Sequence, residues 1–134
     1  MSNTAESAST GPISCVGLET LAKANAAVRR KRTNVDAYVC RSRAYLDRRN
    51  FRAAISDLSR AIKLQPADKS LWIERSRAYA ARKDLKRALL DLDKAIAIAP
   101  DGLTLVERSG LFSQRGDLSR AVADLDAAIK LDPE

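Results

Sequence analysis

The stretch that decides the fold is residues 35–66, VDAYVCRSRAYLDRRNFRAAISDLSRAIKLQP, because it returns 34 positions later as residues 69–100. Twelve of the 32 positions are identical, and RSRAY at 41–45 recurs unchanged at 75–79. Residues 72–100 return once more at 105–133, with fourteen identities in 29 positions. Three tandem units of this length predict a solenoid of stacked supersecondary elements.

Each unit has the pattern of two helices joined by a short turn. In the second unit, apolar or small residues recur every three or four positions from Leu71 to Lys83, and again from Leu85 onward. Asp84 fits the N-cap of the second helix, and Pro100 ends it. The other two units repeat this scheme with Asn50 and Pro66, and with Asp117 and Pro133. The short turns predict that the two helices of a unit run antiparallel.

Two further columns recur in all three units. A serine falls on each first helix, where a large side chain would push the helix pair apart. An arginine on the first helix is matched by an aspartate on the second, which predicts a cross-helix ion pair in every unit. The residues are Ser42, Ser76 and Ser109, and the pairs Arg41–Asp57, Arg75–Asp91 and Arg108–Asp124.

These residues resemble the tetratricopeptide repeat, a helix–turn–helix unit of about 34 residues. Aromatic residues early and late in the first helix, alanine columns and closing prolines carry the resemblance: Tyr38, Trp72, Tyr45, Tyr79, Phe112, Pro66, Pro100 and Pro133. It covers residues 34–134, with repeats at about 34–67, 68–100 and 101–134. The resemblance implies an all-α fold, an α-solenoid that winds as a right-handed superhelix of three repeats.

The chain before the repeats has two parts. Residues 1–14 have the composition of a disordered leader, and residues 15–33 contain a predicted N-terminal helix, over 16–32, that would cap the first repeat. This region contributes to a strong charge asymmetry. Ten of the 24 Lys and Arg residues, against two of the 17 Asp and Glu residues, fall within positions 23–52. Its densest basic patch is Arg29, Arg30, Lys31 and Arg32.

The basic patch leaves three interpretations open. It is a solvated helix C-terminus, a docking surface for an acidic protein or membrane, or a nuclear-targeting or phosphate-contacting segment. All six aromatic residues lie on repeat columns, which leaves none for stacking on nucleobases, so the sequence favours a protein partner over nucleic acid.

Composition argues against most catalytic chemistry. The chain contains no histidine, and it has only two cysteines, Cys15 and Cys40. No glycine-rich phosphate loop or metal-ligand cluster is found in the sequence. We therefore predict a protein that is not an enzyme and has neither a cofactor nor a metal. We also expect reduced cysteines, with Cys40 as a small apolar filler, no transmembrane segment and a cytoplasmic location.

The resemblance implies that the first helices of the repeats line a concave groove that binds a peptide or a helix. Carried over residue by residue, the groove comprises Val39, Cys40, Arg43, Ile73, Glu74, Arg77, Val106 and Glu107. The positions of the chaperone carboxylate clamp are Val39, Arg43, Glu74, Leu103 and Glu107, and its two glutamates would repel a terminal carboxylate. We predict a protein-interaction adaptor or scaffold that is not such a clamp. Two alternatives stay open: docking of the basic N-terminal third on a polyanion, and self-assembly through the C-terminal helix.

Overall fold

The computed structural model describes residues 12–132, which contain seven α-helices and no strand. The helices are α1 (Leu21–Arg30), α2 (Val35–Asp47), α3 (Phe51–Leu64), α4 (Lys69–Ala81), α5 (Leu85–Ile98), α6 (Gly102–Gln114) and α7 (Leu118–Leu131). They form the three predicted helix pairs, preceded by one helix. The chain divides into two compact units, with the boundary between Asp68 and Lys69. Within the described span, no helix combines the length and the apolar character needed to cross a membrane.

Side-chain caps begin most of the helices. The predicted caps Asn50, Asp84 and Asp117 each accept a hydrogen bond from the backbone N–H three residues later, at 3.2 Å. Asn34 and Asp101 do the same at the start of α2 and α6. Each cap satisfies a backbone donor that the first turn of a helix leaves unpaired. The three predicted caps are therefore confirmed.

The turns inside the repeats share one backbone conformation. Arg49, Lys83 and Gly116 occupy equivalent positions and have φ angles of 59°, 71° and 83°. This left-handed region costs energy for a residue with a Cβ atom and little for glycine. The third repeat therefore makes the turn with the residue best suited to it, while the first two carry strain there.

The predicted Arg–Asp pairs are present in all three repeats. Arg75 Nε and Nη2 each donate to one carboxylate oxygen of Asp91, both at 2.8 Å. Asp91 is 4% exposed, and its counterparts Asp57 and Asp124 are equally buried. Arg41 and Arg108 form the same two-point contact with them. The pairs lie deeper than surface ion pairs, so they join the helices of a repeat with two charge-assisted hydrogen bonds each.

The apolar core follows the alanine and leucine columns. In the first unit, Ala54, Leu58 and Ala61 of α3 are fully buried. In the second unit, a cluster joins α5 to α6 and α7; its buried members are Ala88, Leu89, Leu92, Leu111, Phe112 and Ala121. Small residues in these columns allow the helices to approach closely, as the repeat pattern predicted.

The N-terminal helix is shorter than the sequence predicted. It begins at Leu21, where Thr20 accepts a hydrogen bond from the N–H of Lys23 at 3.1 Å, and not at residue 16. Ahead of it, residues 12–19 are not helical and contain a turn at Val16 and Gly17. Residues 1–11 of the predicted leader, and the closing Pro133, lie outside the described residues.

Candidate functional site

The first helices of the repeats, α2, α4 and α6, are called the inner helices here, and the sides that carry the predicted groove residues are called their inner faces. The inner face of α2 carries the groove residues of the first repeat. Asp36, Cys40 and Arg43 are three or four positions apart, so they lie along one side of the helix. Val39 on this side is fully buried, whereas Arg43 is exposed. The short segment that precedes α1 lies against this face, and Cys15 forms a disulfide bond with Cys40.

The disulfide corrects the interpretation of the cysteines. Cys40 was expected to be a reduced apolar filler, and this is wrong: both cysteines are oxidised, and neither is free. The two are 25 residues apart in sequence, but the chain turns back around α1 and brings their Cα atoms to 5.6 Å. The only signal in the sequence is that the chain has two cysteines and no more, which allows one bond without indicating it.

Two polar contacts accompany the disulfide. The backbone N–H of Ser14 donates to the carboxylate of Asp36, and Arg43 Nη1 lies 3.5 Å from Cys15 Sγ. Burial raises the pKa of Asp36 above its ordinary value, against the lowering effects of the Ser14 hydrogen bond and the charge of Arg43. Sequence reasoning missed Ser14 and Cys15 as neighbours of the groove residues because it assigned them to the leader and the start of the helix.

The second unit presents the equivalent face on α4 and α6. Ile73 and Glu74 are half-buried, and Val106 is 48% exposed. Arg77 Nε and Nη2 donate to the two carboxylate oxygens of Glu107 at 2.8 and 2.9 Å, which links the neighbouring inner helices. The hydrogen bond and the charge of Glu107 hold the pKa of Arg77 above its ordinary value, so the guanidinium stays ionised.

A second connection between these helices lies at their edge. Lys69 Nζ donates to the carboxylate of Asp101 and, at 2.7 Å, to the carbonyl oxygen of Ala99. Burial raises the pKa of Asp101, but the hydrogen bonds from Lys69 and Thr104 outweigh it, so the net pKa is lowered. Asp101 is therefore ionised at neutral pH and fixes the start of α6.

An open apolar cavity of about 760 Å³ lies at the C-terminal end of the second unit. Its apolar lining comes from α6 and α7 and comprises Leu103, Val106, Leu125, Ala128 and Ile129, with Asp101 and Asp132 at the edges. Leu125 and Ile129 are 41% and 61% exposed. At the position equivalent to Leu125, Leu58 and Leu92 are fully buried. The last helix thus exposes a face that the earlier repeats bury.

The basic patch is exposed along its whole length. Arg29 and Arg30 form the last turn of α1, and Lys31 and Arg32 follow it. The hydroxyl of Tyr38 donates to the carbonyl oxygen of Arg32 at 3.0 Å, which fixes the backbone at the end of the patch.

The aromatic rings are engaged by the protein itself. Each of the six lies within 6 Å of a guanidinium carbon; the arginines are Arg41, Arg49, Arg75, Arg108 and Arg120. Within residues 12–132, no group of three Asp, Glu, Cys or His side chains is arranged to hold a metal ion.

Comparison with known proteins agrees with this architecture. The tetratricopeptide repeat family matches residues 41–102. The fold is similar to TTC0263, a thermophilic TPR protein of Thermus thermophilus, at 23% identity and a TM-score of 0.75, covering 85% of this chain and 64% of that one. It is also similar to MamA, at 20% identity and a TM-score of 0.78, covering 84% and 67%. MamA from Desulfovibrio magneticus RS-1 is similar at 14% identity and a TM-score of 0.77, covering 84% and 64%.

The chain spans 64% of the length of the Thermus protein, just under two thirds. No curated protein matches the sequence at a significant level. At identities below 25%, the likeness to these structures is one of fold. The family match shows tetratricopeptide repeat sequence at residues 41–102, and the repeated sequence and paired helices give the described residues an all-α helical-repeat fold similar to that of tetratricopeptide repeat proteins.

Proposed function

We propose that this protein is a non-catalytic adaptor that binds a partner peptide or helix on the inner-helix face of its repeats. The observation that carries the proposal is the make-up of that face in the second unit. Val106 offers exposed apolar surface, and the Arg77–Glu107 pair offers a donor and an acceptor group beside it. Mixed apolar and charged surfaces of this kind take up peptides, with the charges setting orientation.

The partner's chemistry follows from the charges. Glu74 and Glu107 stand where a chaperone carboxylate clamp needs groups that attract an anion, so a C-terminal carboxylate is a poor ligand here. An internal peptide segment, with apolar side chains for Ile73 and Val106, suits the face better.

Cytoplasmic placement stays a prediction of the sequence, and cell fractionation tests it.

The test begins with a library of random peptides displayed on phage, selected on the purified protein. The affinity of an enriched peptide is then measured for two matched variants, Arg77→Glu and Arg87→Glu. Both arginines are ion-paired, and their side chains are 57% and 59% exposed, but Arg87 lies on α5, a second helix of a repeat. We expect a loss of about tenfold or more for Arg77→Glu and no change for Arg87→Glu.

A third variant separates charge recognition from loss of the ion pair. Arg77→Glu combined with Glu107→Arg keeps a salt bridge and reverses its direction, so a peptide oriented by these charges still binds weakly. Equal affinity for the native protein and the Arg77→Glu variant would refute the groove proposal.

The exposed face of α7 supports a second candidate function, self-association. Ile129 is 61% exposed beside an open apolar cavity, and apolar surface of this kind favours contact with a second copy of the chain. Light scattering over a range of concentrations tests this, with Ile129→Asp as the disrupting variant. A constant monomer mass at every concentration would exclude it.

A third candidate, docking on a polyanion, rests on the exposure of the basic patch, as the sequence analysis predicted. Binding of heparin or of acidic vesicles that weakens steeply with salt, and is lost when Arg29–Arg32 are replaced by serine, is the expected signature. If binding does not weaken with salt, the patch does not dock on a polyanion and is a solvated helix C-terminus.

A further inference from the structure

The segment before α1 has a defined conformation of its own. The N–H of Leu18 donates to the carbonyl oxygen of Cys15 at 2.8 Å and closes a turn in which Gly17 has a φ angle of 80°. The N–H of Gly17 donates to the Glu19 carboxylate at 2.7 Å. Residues 14–18 therefore form a short ordered peptide between the N-terminal end of the described chain and α1.

This peptide engages the inner face of α2 at three residues. Cys15 is bonded to Cys40, the N–H of Ser14 donates to Asp36, and Arg43 Nη1 approaches Cys15 Sγ. Cys40 and Arg43 are among the groove residues predicted from the repeat pattern. The chain thus places its own backbone where a partner peptide is proposed to bind.

Exposure differs between equivalent positions of the three repeats. Val39 is fully buried, Ile73 is half-buried, and Val106 is 48% exposed, although all three occupy the same column of the repeat. Cys40 is 3% exposed, whereas its counterparts Glu74 and Glu107 are half-buried. The groove column is closed in the first repeat and more open in the later ones.

We propose that residues 14–18 are an intramolecular ligand of the first repeat, and that reduction of the Cys15–Cys40 disulfide releases them and opens this surface to a partner peptide. The inference rests on the proposed function, which it extends with a mode of regulation. The partner it admits is an extended peptide that presents a hydrogen-bond donor to Asp36 and an acceptor to Arg43.

The reductant is a dithiol. One of its thiolates attacks a sulfur of the Cys15–Cys40 bond and forms a mixed disulfide; its second thiolate displaces the protein sulfur. Two electrons and two protons pass to the protein, the S–S bond breaks to give two thiols, and the dithiol becomes a disulfide. Dithiothreitol serves as the probe in vitro.

Release of the peptide leaves the rest of the unit in place. The buried residues of α1 are Ala24, Ala27 and Val28, all beyond Thr20, where the helix is capped. The disulfide closes a 25-residue separation that spans α1, and we expect α1 to stay packed through these buried residues when the bond opens. Reduction removes the covalent bond between the peptide and α2, and leaves the contacts of Ser14 with Asp36 and of Cys15 with Arg43.

The first measurement is hydrogen exchange of the intact chain, oxidised and after dithiothreitol. We expect exchange at the amides of Gly17 and Leu18 to accelerate about tenfold or more on reduction, while the amides of α3 stay unchanged. Cys15→Ser should show the fast exchange without reductant. Dithiothreitol added to Cys15→Ser should change nothing further, which controls for the reagent.

The second measurement is selection of the phage-displayed peptide library on the reduced protein, followed by affinity in both redox states. We expect the enriched peptide to bind the reduced protein and Cys15→Ser about tenfold more tightly than the oxidised protein. Arg43→Glu in the reduced protein should remove this gain. Circular dichroism and thermal unfolding check that each variant remains folded.

Three results would overturn the proposal. Equal exchange in both redox states shows that the peptide is not released, and faster exchange with unchanged affinity shows that it does not block binding. A library that yields no ligand in either redox state refutes the proposed peptide binding, and with it the proposed regulation by residues 14–18. In that case the exchange data still report whether the peptide moves, so the two failures are distinguishable.

Discussion

Replacing Asp91 with alanine should destabilise the protein strongly, because it leaves a guanidinium without its partner inside the second repeat. Asp91 is 4% exposed and accepts two hydrogen bonds from Arg75 at 2.8 Å. The Arg75 side chain is itself 18% exposed and lies 5.2 Å from the Trp72 ring centre. Removing one partner of a buried pair costs about 3–5 kcal/mol. The residual exposure of Arg75 and its contact with Trp72 place the expected loss near the lower end, about 3 kcal/mol.

The assay is urea unfolding followed by far-UV circular dichroism. With an m-value of about 2 kcal/mol/M, a loss of about 3 kcal/mol lowers the midpoint by roughly 1.5 M. Replacing both partners, as in Arg75→Met with Asp91→Leu, should recover most of the loss because no charge is left unpaired. Arg87→Ala, in an exposed pair on α5, is the control and should leave the midpoint unchanged. A loss below about 1 kcal/mol for Asp91→Ala would refute this account of the repeated pair.

Two further outcomes follow from the structure. Both Lys83 and Gly116 have positive φ, which glycine adopts at little cost. Lys83→Gly should therefore raise the free energy of unfolding by up to about 1 kcal/mol, and Gly116→Ala should lower it by about 1 kcal/mol. Urea midpoints that move in the opposite directions would contradict this. The pKa of Asp101 is lower in the folded state than in the unfolded state, where it is near 3.8. The ionised carboxylate therefore stabilises the fold at pH values above 3.8, and this contribution is lost as the pH falls through the folded-state pKa. In Asp101→Asn, the free energy of unfolding should therefore depend less on pH below about pH 5. An unchanged pH dependence would show that the Asp101–Lys69 pair does not cause it.

The sequence predicted the parts of the fold that repeat. The helix pairs, the caps at Asn50, Asp84 and Asp117, and the Arg–Asp pairs all recur at fixed spacing, so each unit supports the interpretation of the next. Local chemistry decides these features, because a cap or a cross-helix pair depends on a few residues in one repeat.

The sequence did not predict the features that occur once. The Cys15–Cys40 bond depends on the path of the chain around α1, which no repeat constrains. Exposure along a groove column also escaped prediction. Val39, Ile73 and Val106 are equivalent in the pattern, yet they range from fully buried to 48% exposed. Burial of a repeat residue depends on which part of the chain lies over it, and that differs from one repeat to the next.

The most direct test of the central claim is a nuclear magnetic resonance titration of the isotope-labelled, reduced protein with an enriched peptide. The account predicts that the amide shifts fall on the inner helices α2, α4 and α6, with Arg43, Arg77 and Val106 among the affected residues. In the oxidised protein the shifts on α2 should be weaker. Shifts confined to α3, α5 and α7 would contradict the claim that the inner-helix face is the binding surface.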